Sequence, residues 1–282
     1  MNPKSRDHAS NFQADGFTIT ATEPWFKVKV QLIERYVQAF IMNAAAKADE
    51  IVFVDAFAGS GLYSVGHQKE IFAGPSLATL CGDLPIDRWI FCERDPEQAH
   101  ALYMRAKKAA PEKNVSVFAD PLPELTDRLR SVIPTSTRGH KAAVLCLVDP
   151  FSLEMPLALM DKWIGLGFSF VVPFTFILND RVNYRHYTED HAELLRKFAG
   201  ASGSESLAKA TGNLQFYKRL VRVYQNNMLV MGMNAALSVH KLESQLVSLP
   251  AYYMGFFSKQ FSTQAILRDM NVTEHLQFEL FA

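Results

Sequence analysis

Four carboxylates stand at matching places in the chain. Each lies at the end of a short apolar run: Asp55 closes IVFVD (51–55), Glu93 closes RWIFCE (88–93), Asp120 closes VSVFAD (115–120), and Asp149 closes AAVLCLVD (142–149). In an open α/β sheet, ligands bind outside the carboxyl ends of the strands, where strand order reverses. Acids delivered there can accept hydrogen bonds from hydroxyls and amines. The first acid is followed by Phe57-Ala58-Gly59-Ser60-Gly61, and Gly59 and Gly61 let the backbone take positive φ and come close to a ligand. The fourth opens Asp149-Pro150-Phe151, a turn that can offer a carboxylate, a prolyl carbonyl and an aromatic face.

These types restrict the ligand. A cofactor carrying phosphates favours a helix that starts directly after the glycines, so that the helix dipole meets the charge. Here the chain continues through Tyr63-Ser64-Val65-Gly66. An acid at the second strand end suits a ribose, which it holds through both hydroxyls, although Arg94 beside it could meet a ribose phosphate. An acid at the third strand end can accept from an adenine amine. S-adenosyl-L-methionine combines these groups and carries no pyrophosphate. At the fourth end, a planar amine-bearing ring could stack on Phe151 and donate to Asp149 and to a backbone carbonyl. Its nitrogen lone pair would then face a methyl sulfonium, which is catalysis by orientation and electrostatics. Taken singly, each feature has a plainer alternative. FAGSG reads also as an ordinary turn, Glu93 and Asp120 as helix-capping acids before Asp95-Pro96 and Pro121, and Asp149 as the cap of a following helix. The order of the whole set is what points to a site.

The elements that must position these residues follow from periodicity. The apolar runs at 51–55, 88–93, 115–120, 142–149 and 168–178 read as buried strands, and helical patterns at 95–110, 123–133 and 155–165 separate four of them. Alternation at this spacing predicts parallel βαβ units. A leading helix over 25–46 places Phe26, Val30, Ile33, Val37 and Phe40 on one face, with lysines on the other. Residues 56–73 read as a long loop of the kind that serves as a lid or binding loop. A polar, partly helical insertion spans about 180–230, and strands 235–244 and 251–259 form a closing antiparallel hairpin. The expected fold class is α/β: a mostly parallel Rossmann-like sheet with a C-terminal antiparallel hairpin and helices on both faces. Residues 1–24 read as a mobile arm, and 25–282 as one domain.

With 282 residues and 49% hydrophobic content the chain can bury a sizeable core. Lysine plus arginine and aspartate plus glutamate are equal at 29 each, so no global charge excess demands a nucleic-acid partner, although a local patch is compatible with neutrality. Cys81, Cys92 and Cys146 are odd in number and set among apolar residues, as reduced core cysteines are. No apolar run reaches membrane-spanning length and the first residues are polar, which predicts a cytoplasmic protein. His186, His191 and Glu193 lack a matching third ligand, so no metal is expected.

Trp25, Lys29 and Tyr36, then VDAFAGSGLY, AGPSLATL, FCERD, FAD, LVDPF and the late YYMGFFSKQ, resemble the three-Cys-motif partner (TcmP) proteins, which look like class I S-adenosylmethionine methyltransferases. The resemblance runs from about residue 25 to 270. It implies that Asp55, Phe57, Ala58, Gly59 and Gly61 line the methionine end of the cofactor, that Glu93 binds its ribose and Asp120 its adenine. It places Asp149, Pro150 and Phe151 against the acceptor, with Asn179, Asp180, Arg181 and the loop residue Tyr63 within reach of substrate. FAGSG and VDPF also resemble the branch that methylates amines of nucleic-acid bases, whose turn usually carries two prolines where this chain has one. The expected activity is therefore methylation of an exocyclic amine of a nucleic-acid base. The alternatives are a protein or small-molecule acceptor, or a non-catalytic adaptor. A separate cysteine-motif protein encoded nearby is the partner that the resemblance implies.

Overall fold

The computed structural model describes residues 12–66 and 69–270. The chain enters through β1 (Thr20–Thr22) and α1 (Trp25–Ala44), then forms β2 (Glu50–Asp55), β3 (Leu62–Val65), β4 (Glu70–Ala73) and α2 (Pro75–Cys81). Next come β5 (Arg88–Cys92), α3 (Pro96–Ala109), β6 (Val115–Phe118), α4 (Leu122–Val132), β7 (Ala142–Leu147), α5 (Leu157–Gly165) and β8 (Phe168–Pro173). A π-helical turn (His186–Asp190) leads into α6 (Ala192–Ala199), α7 (Ala201–Leu207) and α8 (Asn213–Val230), and β9 (Asn234–Lys241), β10 (Ala251–Ser258) and α9 (Thr263–Asp269) follow.

The larger sheet has seven strands in the order β6-β5-β2-β7-β8-β10-β9. Its first five strands are parallel, and β10 pairs antiparallel with both β8 and β9. All six residues of β7 and of β8 are buried, as expected for strands covered by helices on both faces. After β2 the chain adds β5 and β6 on one side, then returns to add β7 and β8 on the other. The reversal between β2 and β7 is the switch point at which such a sheet opens a crevice. This is the Rossmann-like α/β class expected from the apolar runs. Buried side chains from Trp25 to Met270 join in one hydrophobic core.

Local chemistry accounts for the starts of α3 and α2. Asp95 caps α3 by accepting from the backbone N–H groups of Glu97 and Gln98 at 2.9 and 3.1 Å, with Pro96 at the first helical position. Gly74 and Pro75 open α2 in the same order of cap and proline.

Four expectations are corrected. Residues 56–73 are not an open loop: β3 and β4 form an antiparallel hairpin, and β1 adds to it in parallel. The described part of residues 1–24 is tied down, because Asp15 takes the Arg105 guanidinium at 2.7 Å on both carboxylate oxygens and Thr20–Thr22 pair with β3. Lys29 does not lie on the outer face of α1 but is fully buried. It shares a helical stripe with Trp25, Ile33 and Tyr36, three and four residues apart. The fifth strand stops at Pro173, and residues 174–178 run past its end. Residues 1–11 of the arm, 67–68 of the loop and 271–282 of the expected domain lie outside the described residues.

Candidate active site

Register brings the acids together. Asp55, the last residue of β2, pairs with Phe91 of β5 and Leu147 of β7. Glu93 and Asp149 each stand two residues beyond those partners, on the same pleat. Cys92 pairs with Phe118, and Asp120 stands two residues beyond it. All four carboxylates therefore reach the carboxyl edge of the parallel strands. The loop after Asp55 is sewn to both neighbouring strands: Ala56 N–H donates to Leu147 O at 3.0 Å and Ala58 N–H to Cys92 O at 2.9 Å.

Two adjoining cavities lie along this edge. The smaller, about 160 Å³, is lined by Phe57, Glu93, Arg94, Asp120, Leu122 and Leu125 among others. The larger, about 320 Å³, is lined by Asp55, Phe57, Tyr63, Asp149, Pro150 and Phe151 among others. Phe57 and Glu154 line both, so the two are lobes of one crevice. The larger lobe alone reaches the ~300 Å³ at which small-molecule sites begin.

Each acid keeps a defined set of partners. Asp55 accepts from Ser76 Oγ at 2.6 Å and from Phe57 N–H at 3.1 Å. Burial pushes its carboxyl up to about 7, against the lowering effect of those two hydrogen bonds. Glu93 takes Gly59 N–H on one oxygen and Asp95 N–H on the other, both at 2.9 Å. A carboxylate has about four acceptor positions, so a diol in the smaller lobe finds capacity left on both oxygens. Arg128 approaches Asp120 at 3.5 Å. Arg94 is drawn to Glu154 at 3.4 Å, which engages the one cation that lines this lobe among the described residues. With Glu93 and Asp120 beside it and Leu122 and Leu125 along it, the lobe matches a nucleoside better than a phosphate.

The Asp149 turn is built on a buried ion pair. Lys29 Nζ lies 2.7 Å from one Asp149 oxygen and 3.0 Å from the other, and it also donates to Thr175 Oγ at 3.2 Å. Thr175 Oγ in turn donates to Asp149 at 3.3 Å. Burial pushes the Asp149 carboxyl up and the Lys29 ammonium down, and each is opposed by the charge of the other. The ammonium also sits 4.3 Å from the Phe151 ring centre and 4.4 Å from that of Phe26. Phe26 stacks on Phe151 at 5.9 Å. The lysine therefore fixes both the carboxylate and the aromatic plane of this turn.

Of the residues singled out from sequence, Asp55, Phe57, Tyr63, Glu93, Asp120, Asp149, Pro150 and Phe151 line the crevice. Tyr63 does so as a buried residue of β3, packed 4.4 Å from Phe26, and not as part of a loose loop. Ala58 is buried behind the loop backbone. Gly59 (φ +59°) offers its N–H to Glu93. Gly61 (φ +81°) does not line the crevice: a side chain there would meet Leu102 at 2.6 Å and Leu77 at 2.8 Å, so it serves the packing of α2 and α3. Asn179 and Arg181 do not line it either. The Asn179 side-chain Oδ1 accepts from Arg181 N–H and Val182 N–H, both at 2.9 Å, in a turn, and Arg181 is exposed. His186 and His191 have ring centres 4.3 Å apart, and no group of three or more metal-ligating side chains occurs among the described residues. Lys29, Ser76, Thr175 and Glu154 were missed as site residues. Lys29 carried a signal in its place on the apolar stripe of α1, and Lys29 and Ser76 lie in stretches that carry the family resemblance.

Fold and site together define a Rossmann-like α/β protein with an acid-lined crevice at its switch point. No protein-family model matches the chain, and no curated protein does. Among solved structures it is similar to a Legionella pneumophila protein (10% identity, 86% of this chain and 91% of that one, TM-score 0.49). It is also similar to spermidine synthase from Thermotoga maritima (10%, 86% and 63%, TM-score 0.44). A third is an O-methyltransferase from Bacillus cereus in complex with SAH (12%, 81% and 80%, TM-score 0.43). At these identities and scores the likenesses carry nothing about activity. Among the described residues no helix is long and apolar enough to cross a membrane.

Proposed function

We propose that this chain binds S-adenosyl-L-methionine in the crevice and methylates an exocyclic amine of a nucleic-acid base. One observation carries this: a lobe bearing Glu93 and Asp120 joins, across Phe57, a lobe bearing Asp55 and the Asp149-Pro150-Phe151 turn. In this assignment Glu93 accepts from the ribose hydroxyls, Asp120 accepts from the adenine amine, and Leu122 and Leu125 flank the adenine ring. Asp55 faces the ammonium of the methionine tail. When bound, the cofactor supplies an electrophilic methyl group on its sulfonium. Phe151, held by Lys29 and Phe26, gives the acceptor base a face to stack on. Asp149 and the Pro150 carbonyl accept the amine hydrogens and so orient the nitrogen lone pair. Lys29 favours the Asp149 anion against the effect of burial, so that Asp149 can accept, and Asp149 takes up the proton that the nitrogen loses. A base within a duplex must be flipped out to enter such a pocket.

The test is methyl transfer from radiolabelled cofactor to pooled RNA and DNA. Label in nucleic acid, lost in Asp149→Ala while cofactor still binds, is the expected result. Cofactor binding with label only in protein or small-molecule fractions would move the acceptor to those classes. Absence of cofactor binding would remove the enzymatic assignment and leave the adaptor alternative. In that case capture of the cysteine-motif partner implied by the TcmP resemblance becomes the relevant measurement.

A further inference from the structure

A further cavity, about 580 Å³, does not belong to the crevice: it lies between α7 and α8. Lys209, Arg219 and Arg222 line it together with the polar side chains of Ser206, Asn226 and Asn227, and among the described residues no carboxylate does. Arg219, Arg222 and Asn226 fall at helical spacings of three and four, on one face of α8. The two helices approach closely because α7 carries Gly203 at the contact, where a Cβ would come within 2.5 Å of Val223. Arg219 donates to Ser206 O at 3.1 Å, which fixes its guanidinium across the cleft. Beyond Glu205 of α7 the sequence is also basic. Residues 206–230 hold four basic residues, Lys209, Lys218, Arg219 and Arg222, and no acidic one, in a chain whose charges otherwise balance at 29 of each sign.

The groove has a fixed relation to the crevice. Asn213, the first residue of α8, accepts from Tyr184 N–H at 2.8 Å and donates to Asn179 O at 3.3 Å, so the helix starts at the rim beyond β8. At 1.5 Å per residue, Arg219 lies about 9 Å and Asn226 about 20 Å along the helix from that rim. At roughly 3.4 Å per nucleotide this corresponds to about three to six nucleotides of a strand.

From this arrangement we infer that the α7–α8 groove is a second binding site, for the phosphates of a single-stranded nucleic acid whose target base enters the crevice. The inference rests on the proposed base-methylating function and adds to it the local basic patch that a neutral composition conceals. Cations and amide or hydroxyl donors without a carboxylate suit phosphodiesters, which carry charge and many acceptors but no donors.

The experiment is fluorescence anisotropy with labelled 20-nucleotide and 4-nucleotide single strands, in RNA and DNA arms, over a range of salt. The 20-mer should bind more tightly than the 4-mer, and the difference should vanish at high salt. For Lys209→Gln/Arg222→Gln, losing two phosphate contacts should lower the salt slope by about 1.4 and weaken the 20-mer about 25-fold at 0.1 M salt. Arg222→Lys should keep the slope. Calorimetry with S-adenosylhomocysteine reports separately whether each protein is folded and whether the crevice takes the cofactor. Equal affinity for both lengths in the unmodified protein, or an unaltered slope in the double variant, would overturn the groove assignment even if cofactor binding and methyl transfer hold. Loss of cofactor binding in the unmodified protein would instead overturn the proposed function.

Discussion

Replacing Lys29 with methionine removes a charge and keeps most of the volume. Its ammonium is fully buried and touches both oxygens of Asp149, at 2.7 and 3.0 Å. In Lys29→Met the carboxylate keeps only the Thr175 hydroxyl among its described partners. Breaking a buried pair by deleting one partner costs about 3–5 kcal/mol. The carboxylate has one escape, which is to take up a proton. From an unfolded value near 3.9, holding it neutral at pH 7 costs about 4 kcal/mol at 1.36 kcal/mol per unit. Both routes put the loss at about 3–4 kcal/mol at pH 7. In the variant the folded carboxyl binds its proton more tightly than the unfolded one. Stability therefore rises as pH falls, and the deficit shrinks by up to about 1.4 kcal/mol per unit between pH 7 and pH 4. Urea denaturation at pH 7, 6 and 5 measures this directly. Lys29→Met/Asp149→Asn, which removes both charges, should recover most of the loss, and the double-mutant cycle then gives the coupling. A single-variant loss under 1 kcal/mol, a deficit independent of pH, or a double variant as unstable as the sum would refute the reasoning.

Three further outcomes follow from the site. The Asp55 carboxyl, pushed from 3.8 up to about 7 by burial, gives a stability contribution of roughly 4 kcal/mol that is complete below pH 4 and gone above pH 7. Cofactor binding needs the anion, so affinity should climb towards pH 7 and level off above it; Asp55→Asn should flatten both profiles in denaturation and calorimetry. Glu93→Ala removes charged hydrogen bonds to the ligand hydroxyls and should weaken cofactor binding about 10- to 100-fold by calorimetry. Gly61→Ala meets both a positive φ and contacts of 2.6 and 2.8 Å with Leu102 and Leu77. It should lose about 2–4 kcal/mol in urea denaturation, more than Gly59→Ala, whose closest contact is Tyr63 Oη at 3.2 Å.

The parallel sheet was legible because its central strands are continuous apolar runs, and each acid could be placed because it closes such a run. The hairpin at 62–73 was not, because β3 and β4 are four residues each and lack the strict alternation that marks a strand. Glycine at position 61 signalled a special backbone, but sequence does not separate approach to a ligand from approach to Leu77 and Leu102. Lys29 was quoted with Trp25 and Tyr36 for the family resemblance, but its charge placed it on the outer face, although its spacing from Trp25 and Ile33 put it on the buried stripe. The ion pair joins residues 120 positions apart, a distance over which local periodicity carries no information. Asn179 and Arg181 were placed at the rim by their position after a strand. Their backbone turn, closed by the Asn179 side chain, turns them away from the crevice lining.

The most direct test of the central claim is a crystal structure with S-adenosylhomocysteine bound. The account predicts ribose hydroxyls within hydrogen-bond distance of Glu93, adenine between Asp120 and Leu125, and the sulfur directed past Phe57 towards Asp149 and Phe151. A ligand bound elsewhere, or one that crosses the crevice without touching Glu93, would contradict it.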